Sequence, residues 1–93
     1  MTDDVAFDAH AVPRISPRFR LQFEPAQTAW VLLYPEGMVK LSASAAEILK
    51  RIDGVSSVEA MIGSLEQAFP GAPLRNDVLN FLAIAGRHGW IVV

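Results

Sequence analysis

The groups best suited to acid–base or metal chemistry in this 93-residue sequence are two histidines and ten carboxylates, since cysteine is absent. His10 and Asp8 fall in an acidic N-terminal segment, where a flexible backbone would not fix the coordination geometry of a metal. His88 falls at a predicted helix end, where an imidazolium interacts favourably with the helix dipole. The histidines therefore do not form a catalytic or metal-binding set.

Most carboxylates of the C-terminal half fall where a structural role explains them, in helix caps, a turn or the first turn of a helix. Those with such a role are Glu47, Asp53, Glu59 and Asp77; the remaining carboxylate of this half is Glu66. The sequence contains neither the G-x-x-x-x-G-K-[ST] motif nor the G-x-G-x-x-G motif, both of which bind phosphate groups. We therefore expect a protein that is not an enzyme and that carries no cofactor or metal.

Composition indicates one small soluble domain, with 52% hydrophobic and 19% charged residues and a net charge of −2. Lack of cysteine excludes a disulfide-stapled module and fits a reducing compartment. We find no run long enough to span a membrane and no signal peptide, so we expect a cytoplasmic protein. The expected organisation is a flexible acidic tail over residues 1–13 and one domain over residues 14–93.

The elements that would position a binding site begin with three strands. Hydrophobicity alternates with a period of two over residues 18–24, which is typical of a half-buried strand. Residues 28–34 are apolar on both faces, which predicts a central strand covered on two sides. A type II turn at 35–37 then leads into a short third strand over 38–41. Short connections of this kind favour an antiparallel meander.

Helical periodicity follows from residue 42 onward. Ser44 begins a capping box, with Ser42 as the competing cap, and Gly54 is expected to end this first helix in a left-handed conformation. Ser56 begins a second capping box and a second helix. We expect an α+β, winged-helix-like fold, in which the three-stranded meander is followed by three helices.

The third predicted helix runs from an Asn76 cap to about His88, where Gly89 breaks it, and has more apolar surface than a core contact needs. Its core stripe is Val78, Leu82 and Ala85, and Phe81 and Ile84 share an adjacent flank. This flank either completes the core against a tryptophan or lines a groove for a partner.

The third strand lies at the edge of the predicted meander, and an edge strand can pair with an incoming extended peptide. We therefore expect a peptide to bind between this strand and the third helix, and we expect Val39→Pro to weaken that binding. The candidate peptide-binding residues are Met38, Val39, Lys40, Leu41, Phe81, Ile84 and Ala85.

Two long segments, FRLQFEPAQ at 19–27 and VLLYPEGMVKL at 31–41, resemble the coenzyme PQQ (pyrroloquinoline quinone) synthesis protein D family. Shorter matches follow at Ser44-Ala45, Ile48-Leu49, Asp53-Gly54 and Gly89-Trp90-Ile91. The resemblance spans roughly residues 13–92.

The resemblance implies a peptide chaperone. Such a protein binds the ribosomally made PQQ precursor peptide and presents it to the radical SAM enzyme that cross-links a Glu and a Tyr of that peptide. It also implies a domain that recognises the leaders of modified peptides, with no cofactor of its own. From the residues themselves we expect no membrane or nucleic-acid partner, and a monomer or weak homodimer. The alternatives left open are a winged-helix nucleic-acid-binding domain and a structural subunit of a larger enzyme.

Overall fold

The structure, a computed structural model, describes residues 8–93 and contains five strands and three helices in this range. In chain order they are β1 (Arg14–Ile15), β2 (Arg20–Glu24), β3 (Ala29–Tyr34), β4 (Gly37–Lys40), α1 (Ala43–Leu49), α2 (Val58–Ala68), α3 (Arg75–Arg87) and β5 (Ile91–Val92). The predicted α+β class, a three-stranded antiparallel meander followed by three helices, is confirmed.

The meander has the strand order β2-β3-β4, so β3 is central and β4 is an edge strand, as predicted. The middle of β3 pairs with one residue on either side: Leu32 pairs with Leu21 and Val39, and Leu33 with Arg20 and Met38. Because side chains alternate along a strand, these two rows lie on opposite faces of the sheet.

One face of the meander packs against the helices in a single core. This core contains Leu32 from β3, Leu41 directly after β4, and Leu49, Met61 and Leu82 from the three helices. On α3 the predicted core stripe is confirmed, since Val78, Leu82 and Ala85 are all buried.

A second, two-stranded sheet joins the two ends of the described chain. Arg14 of β1 pairs with Val92 of β5 in antiparallel register. Preceding residues are also tied to the domain: the carbonyls of Ala9 and Ala11 accept hydrogen bonds from Glu59 and Val58 at the start of α2. The predicted 1–13 tail therefore includes residues that bond to the domain, while its first seven lie outside the described residues.

Helix caps show where local prediction was wrong by one or two residues. Ser42, the competing candidate, caps α1 by accepting from the Ala45 amide. Ser57 rather than Ser56 caps α2, accepting from the Ala60 amide. The carboxylates assigned to these capping boxes instead pair with cations: Glu47 with Arg51, and Glu59 with the guanidinium of α3's first residue.

Gly54 has the positive φ that was predicted, at +78°, but not as the residue that ends α1. α1 ends earlier, with its C-cap at Lys50. Asp53 holds the following turn together instead, since its carboxylate accepts from the backbone amides of Val55 and Ser56. The prediction of a left-handed conformation at Gly54 is confirmed, but the prediction that Gly54 ends α1 is wrong.

Two further local predictions are corrected. α3 begins at Arg75 after Leu74, which forms no side-chain cap, so the Asn76 cap is wrong. The Pro35-Glu36 turn is not type II, because type II needs a positive φ at its third residue and Glu36 does not have one. A glutamate at that position disfavours positive φ, and glycine at the fourth position suits type I.

Candidate functional site

The exposed edge of β4 is the first component of the candidate site. The Leu41 amide donates to the Trp30 carbonyl on β3, 2.9 Å away, which fixes the direction of the backbone groups at that residue. Since successive residues of a strand direct their amides to opposite edges, Val39 also faces β3, whereas Met38 and Lys40 face outward. Two N–H groups and two carbonyls are therefore presented at the free edge, ready to pair with an extended chain.

This register corrects the expectation for Val39→Pro. The Val39 amide belongs to the β3–β4 ladder, so a proline there would damage the sheet itself. The residues whose amides test strand addition are Met38 and Lys40.

An apolar groove of about 670 Å³ is the second component. It lies where α1 begins, where α2 ends and where α3 begins. Because α1 follows β4 after two residues, the groove opens beside the C-terminal end of the edge strand. Its lining residues are Ser42, Ala43, Ser44, Ala45, Glu47, Ile48, Leu65, Phe69, Ala72, Leu74, Asp77, Val78 and Phe81.

Phe81 combines the two roles between which the sequence left a choice. Its ring lies 6.4 Å from that of Trp90, so it packs against the core. It also lines the groove and keeps partial exposure. Ile84 is 40% exposed and lies one turn further along the same flank, outside the groove lining.

The other predicted site residues divide into exposed and buried groups. Met38 is 45% exposed and Lys40 is exposed, whereas Val39 is half-buried against the core. Leu41 and Ala85 are 7% and 0% exposed, so their side chains belong to the core. These two residues can support a bound peptide only through the elements that they hold in place.

Sequence reasoning missed the part of the groove built by the α2–α3 connection. Helical spacing places Phe69 in line with Val58, Met61, Ile62 and Leu65, which predicts burial, yet it is 43% exposed and lines the groove. Leu74 and Asp77 line it as well. The available signal was the Pro70-Gly71 pair directly after Phe69, which ends the helix before this side chain can pack against the core.

Two carboxylates line the groove, and neighbouring cations compensate the charge of one of them. Glu47 is held by Arg51 at 2.9 Å and by Lys50 at 3.1 Å. Hydrogen bonds from Arg51 first, and then from Lys50, lower the pKa of Glu47 below its ordinary value of 4.5. Asp77 contributes a second carboxylate. The groove can therefore hold apolar side chains at its centre and basic or polar groups at its margin.

Within the described range the histidines and carboxylates do not gather into a group of three or more that could hold a metal ion. His88 stacks on Trp90, with ring centroids 4.8 Å apart at the C-cap of α3. Over residues 8–93, none of the helices has both the length and the apolar character needed to cross a membrane.

Known proteins resemble this chain in sequence and in structure. Residues 29–91 match the family described as Coenzyme PQQ synthesis protein D (PqqD). A Pseudomonas putida protein named "PqqA binding protein 1" is 48% identical over 96% of this chain and 99% of its own length. A Pseudomonas paraeruginosa relative, "PqqA binding protein", is 51% identical over 87% of this chain and 89% of its own.

A solved structure shares the fold. It is the solution NMR structure of the PqqD truncation of Methylobacterium extorquens PqqCD, described as a functional, stand-alone recognition element for ribosomally synthesised and post-translationally modified peptides. The match has a TM-score of 0.79 at 29% identity and covers 99% of this chain and 100% of the other.

Proposed function

The chain belongs to the coenzyme PQQ synthesis protein D family, and on that premise we propose that it binds the ribosomally made PQQ precursor peptide and presents it to the radical SAM enzyme that modifies it. Its role is that of a cytoplasmic peptide chaperone rather than a catalyst. The relatives' names, which describe binding of PqqA, support this role.

The free edge of β4 is the observation that carries the proposal. An extended peptide gains main-chain hydrogen bonds from the outward groups of Met38 and Lys40, which supply affinity without demanding a particular sequence. In the proposed complex, side chains of the peptide that point toward the helices contact Phe81 and Ile84 of α3. Apolar peptide residues at alternate positions would fill this side and give specificity.

The proposed site therefore comprises Met38, Lys40, Phe81 and Ile84 as contact residues. Val39, Leu41 and Ala85 stay in the proposal as residues that hold β4 and α3 in position. The apolar groove extends the site toward Phe69 and α1.

Two parallel binding titrations test the proposal. Fluorescence anisotropy of a labelled precursor peptide is measured with increasing amounts of the chain at moderate salt, with labelled duplex DNA as the second probe. We expect saturable binding of the peptide, and negligible binding of DNA because the net charge of −2 gives no general attraction to phosphate. Binding of DNA but not of peptide would refute the proposal and favour the nucleic-acid alternative.

A scrambled precursor peptide of the same composition is the control for sequence-independent sticking. A chain that binds the radical SAM enzyme but not the free peptide would instead be a structural subunit of that enzyme.

A further inference from the structure

The face of the meander turned away from the helices is a second surface, distinct from the edge of β4 and from the groove. Its rows are Arg20–Leu33–Met38 and Gln22–Val31–Lys40, read across the three strands. The sequence predicted cover on both sides of β3, because this strand is apolar on both faces. The described helices supply cover on one face only, since Val31, Leu33 and Met38 are absent from the core cluster.

Cover on this outer face decreases from the middle of β3 toward the edge of β4. Val31 is fully buried, Leu33 is half-buried and Met38 is 45% exposed. The solvated face of an antiparallel sheet usually carries polar residues, so the exposed Met38 beside Leu33 indicates a surface that a partner covers.

The outer face carries two cations, Arg20 and Lys40, against one carboxylate, Glu24, whereas the chain as a whole is acidic. Arg20 and Lys40 form no ion pair with any described residue. Arg18 pairs with Glu36 at 3.0 Å, but both side chains are more than 60% exposed, so solvent or another carboxylate can replace this contact. An acidic partner surface would therefore find three cations around an apolar centre.

A shallow pocket beside β2 gives this face a specific place for a carboxylate. It is lined by Arg18, Arg20 and Leu33, with Phe19, Tyr34 and two prolines around them. Two guanidinium groups over an apolar floor suit an Asp or Glu side chain, because arginine binds carboxylates with paired hydrogen bonds.

We propose that this outer face docks an acidic surface of the radical SAM enzyme, with a carboxylate of the enzyme in the Arg18–Arg20 pocket. The inference rests on the proposed function for the identity of the partner. The face is three strands wide, roughly 10 Å from the first strand axis to the third, which suits a folded surface better than one peptide strand. It also borders β4, so an enzyme docked there would lie next to a peptide held at that edge.

Four variants of the full chain test the inference through their affinity for the purified radical SAM enzyme, measured by isothermal titration without peptide. Arg20→Gln removes a cation from the pocket and is expected to weaken enzyme binding about fivefold, as for an exposed ion pair. The loss should shrink at high salt, because screening weakens such contacts. Glu36→Gln frees Arg18 and removes a competing carboxylate, so it is expected to tighten enzyme binding about twofold.

Arg14→Gln is the matched control, since it makes the same change in net charge on the separate β1–β5 sheet. It is expected to leave enzyme affinity unchanged. The fourth variant, Arg18→Gln, should weaken binding as Arg20→Gln does. Melting temperatures of all four verify folding.

Equal enzyme affinities for Arg20→Gln and Arg14→Gln would overturn the inference. So would a concentration-dependent dimer that Arg20→Gln abolishes, because the occupant would then be a second copy of the chain. Precursor-peptide affinity is measured separately for each variant and is expected to stay unchanged. Failure of the unmodified chain to bind peptide would refute the proposed function, whereas the enzyme titrations judge the docking face by themselves.

Discussion

Proline substitution along β4 separates its free edge from its bonded edge. The Lys40 amide faces outward, so Lys40→Pro removes a donor that only an added strand would use. Proline is tolerated at such a position in an edge strand, and we expect the free energy of unfolding to change by less than about 1 kcal/mol.

The magnitude expected for peptide binding follows from one lost backbone hydrogen bond. Removing a donor leaves the peptide's carbonyl unpaired in the interface, at a cost of about 1–2 kcal/mol. That corresponds to roughly 5- to 30-fold weaker binding. The assay is anisotropy of the labelled precursor peptide, with Lys40→Gln as the control that loses the charge but keeps the amide.

Val39→Pro, unlike Lys40→Pro, is expected to destabilise the fold. Its amide faces Leu32 across the ladder, and Leu32 is fully buried, so the unpaired carbonyl would find no water. We expect a loss of about 2–3 kcal/mol of stability, or about 10–20 °C in Tm. A Lys40→Pro variant that binds peptide as tightly as Lys40→Gln would refute strand addition at this edge.

Three further predictions concern the groove flank, the loop after α1 and acid stability. Ile84→Ala should weaken peptide binding by about 1–2 kcal/mol and lower the free energy of unfolding by less than about 1 kcal/mol. Phe81→Ala should weaken peptide binding too, and because Phe81 is half-buried it should also lower the free energy of unfolding by about 1–3 kcal/mol. Unchanged peptide affinity in both variants would show that this flank is only core. Gly54→Val should lower the free energy of unfolding by about 1–2 kcal/mol, because φ is +78° there. Gly63→Ala, within α2 and with open space around it, should instead raise it by roughly 0.5–1 kcal/mol. Equal melting temperatures of the two variants would contradict this prediction. Backbone hydrogen bonds from Ser56 and Val55 lower the pKa of Asp53 below 3.8, so the ionised carboxylate stabilises the fold above pH 3.8 and this stabilisation is lost as pH falls through the lowered pKa. Asp53→Asn should therefore flatten the acidic part of the Tm–pH curve. An unaltered curve would contradict this prediction.

The strands and the α3 stripe were predictable because their signals are periodic and extend over many residues. The apolar run of β3 and the spacing of Val78, Leu82 and Ala85 leave few alternative arrangements. Helix caps were less predictable, because adjacent serines such as Ser56 and Ser57 offer the same hydroxyl. A local contact in the preceding turn decides which serine is used: the carboxylate of Asp53 accepts from the hydroxyl of Ser56 and leaves Ser57 to cap α2.

The β1–β5 sheet and the groove were not predictable in the same way. Two-residue strands such as Ile91–Val92 have no readable period, and their pairing joins opposite ends of the domain. The groove forms where the ends of three helices meet, so Phe69 and Leu74 become neighbours only after folding. The direction of each β4 amide could be assigned only from the strand register, which the hydrogen bond from the Leu41 amide to the Trp30 carbonyl fixes.

Amide exchange at the edge of β4, followed by NMR on isotope-labelled chain with and without the precursor peptide, tests the central claim most directly. If the peptide adds as a strand, the amides of Met38 and Lys40 become protected from exchange with solvent on saturation, while the Val39 amide is protected in both states. Saturable peptide binding that leaves the Met38 and Lys40 amides exchanging as in the free protein would contradict the account.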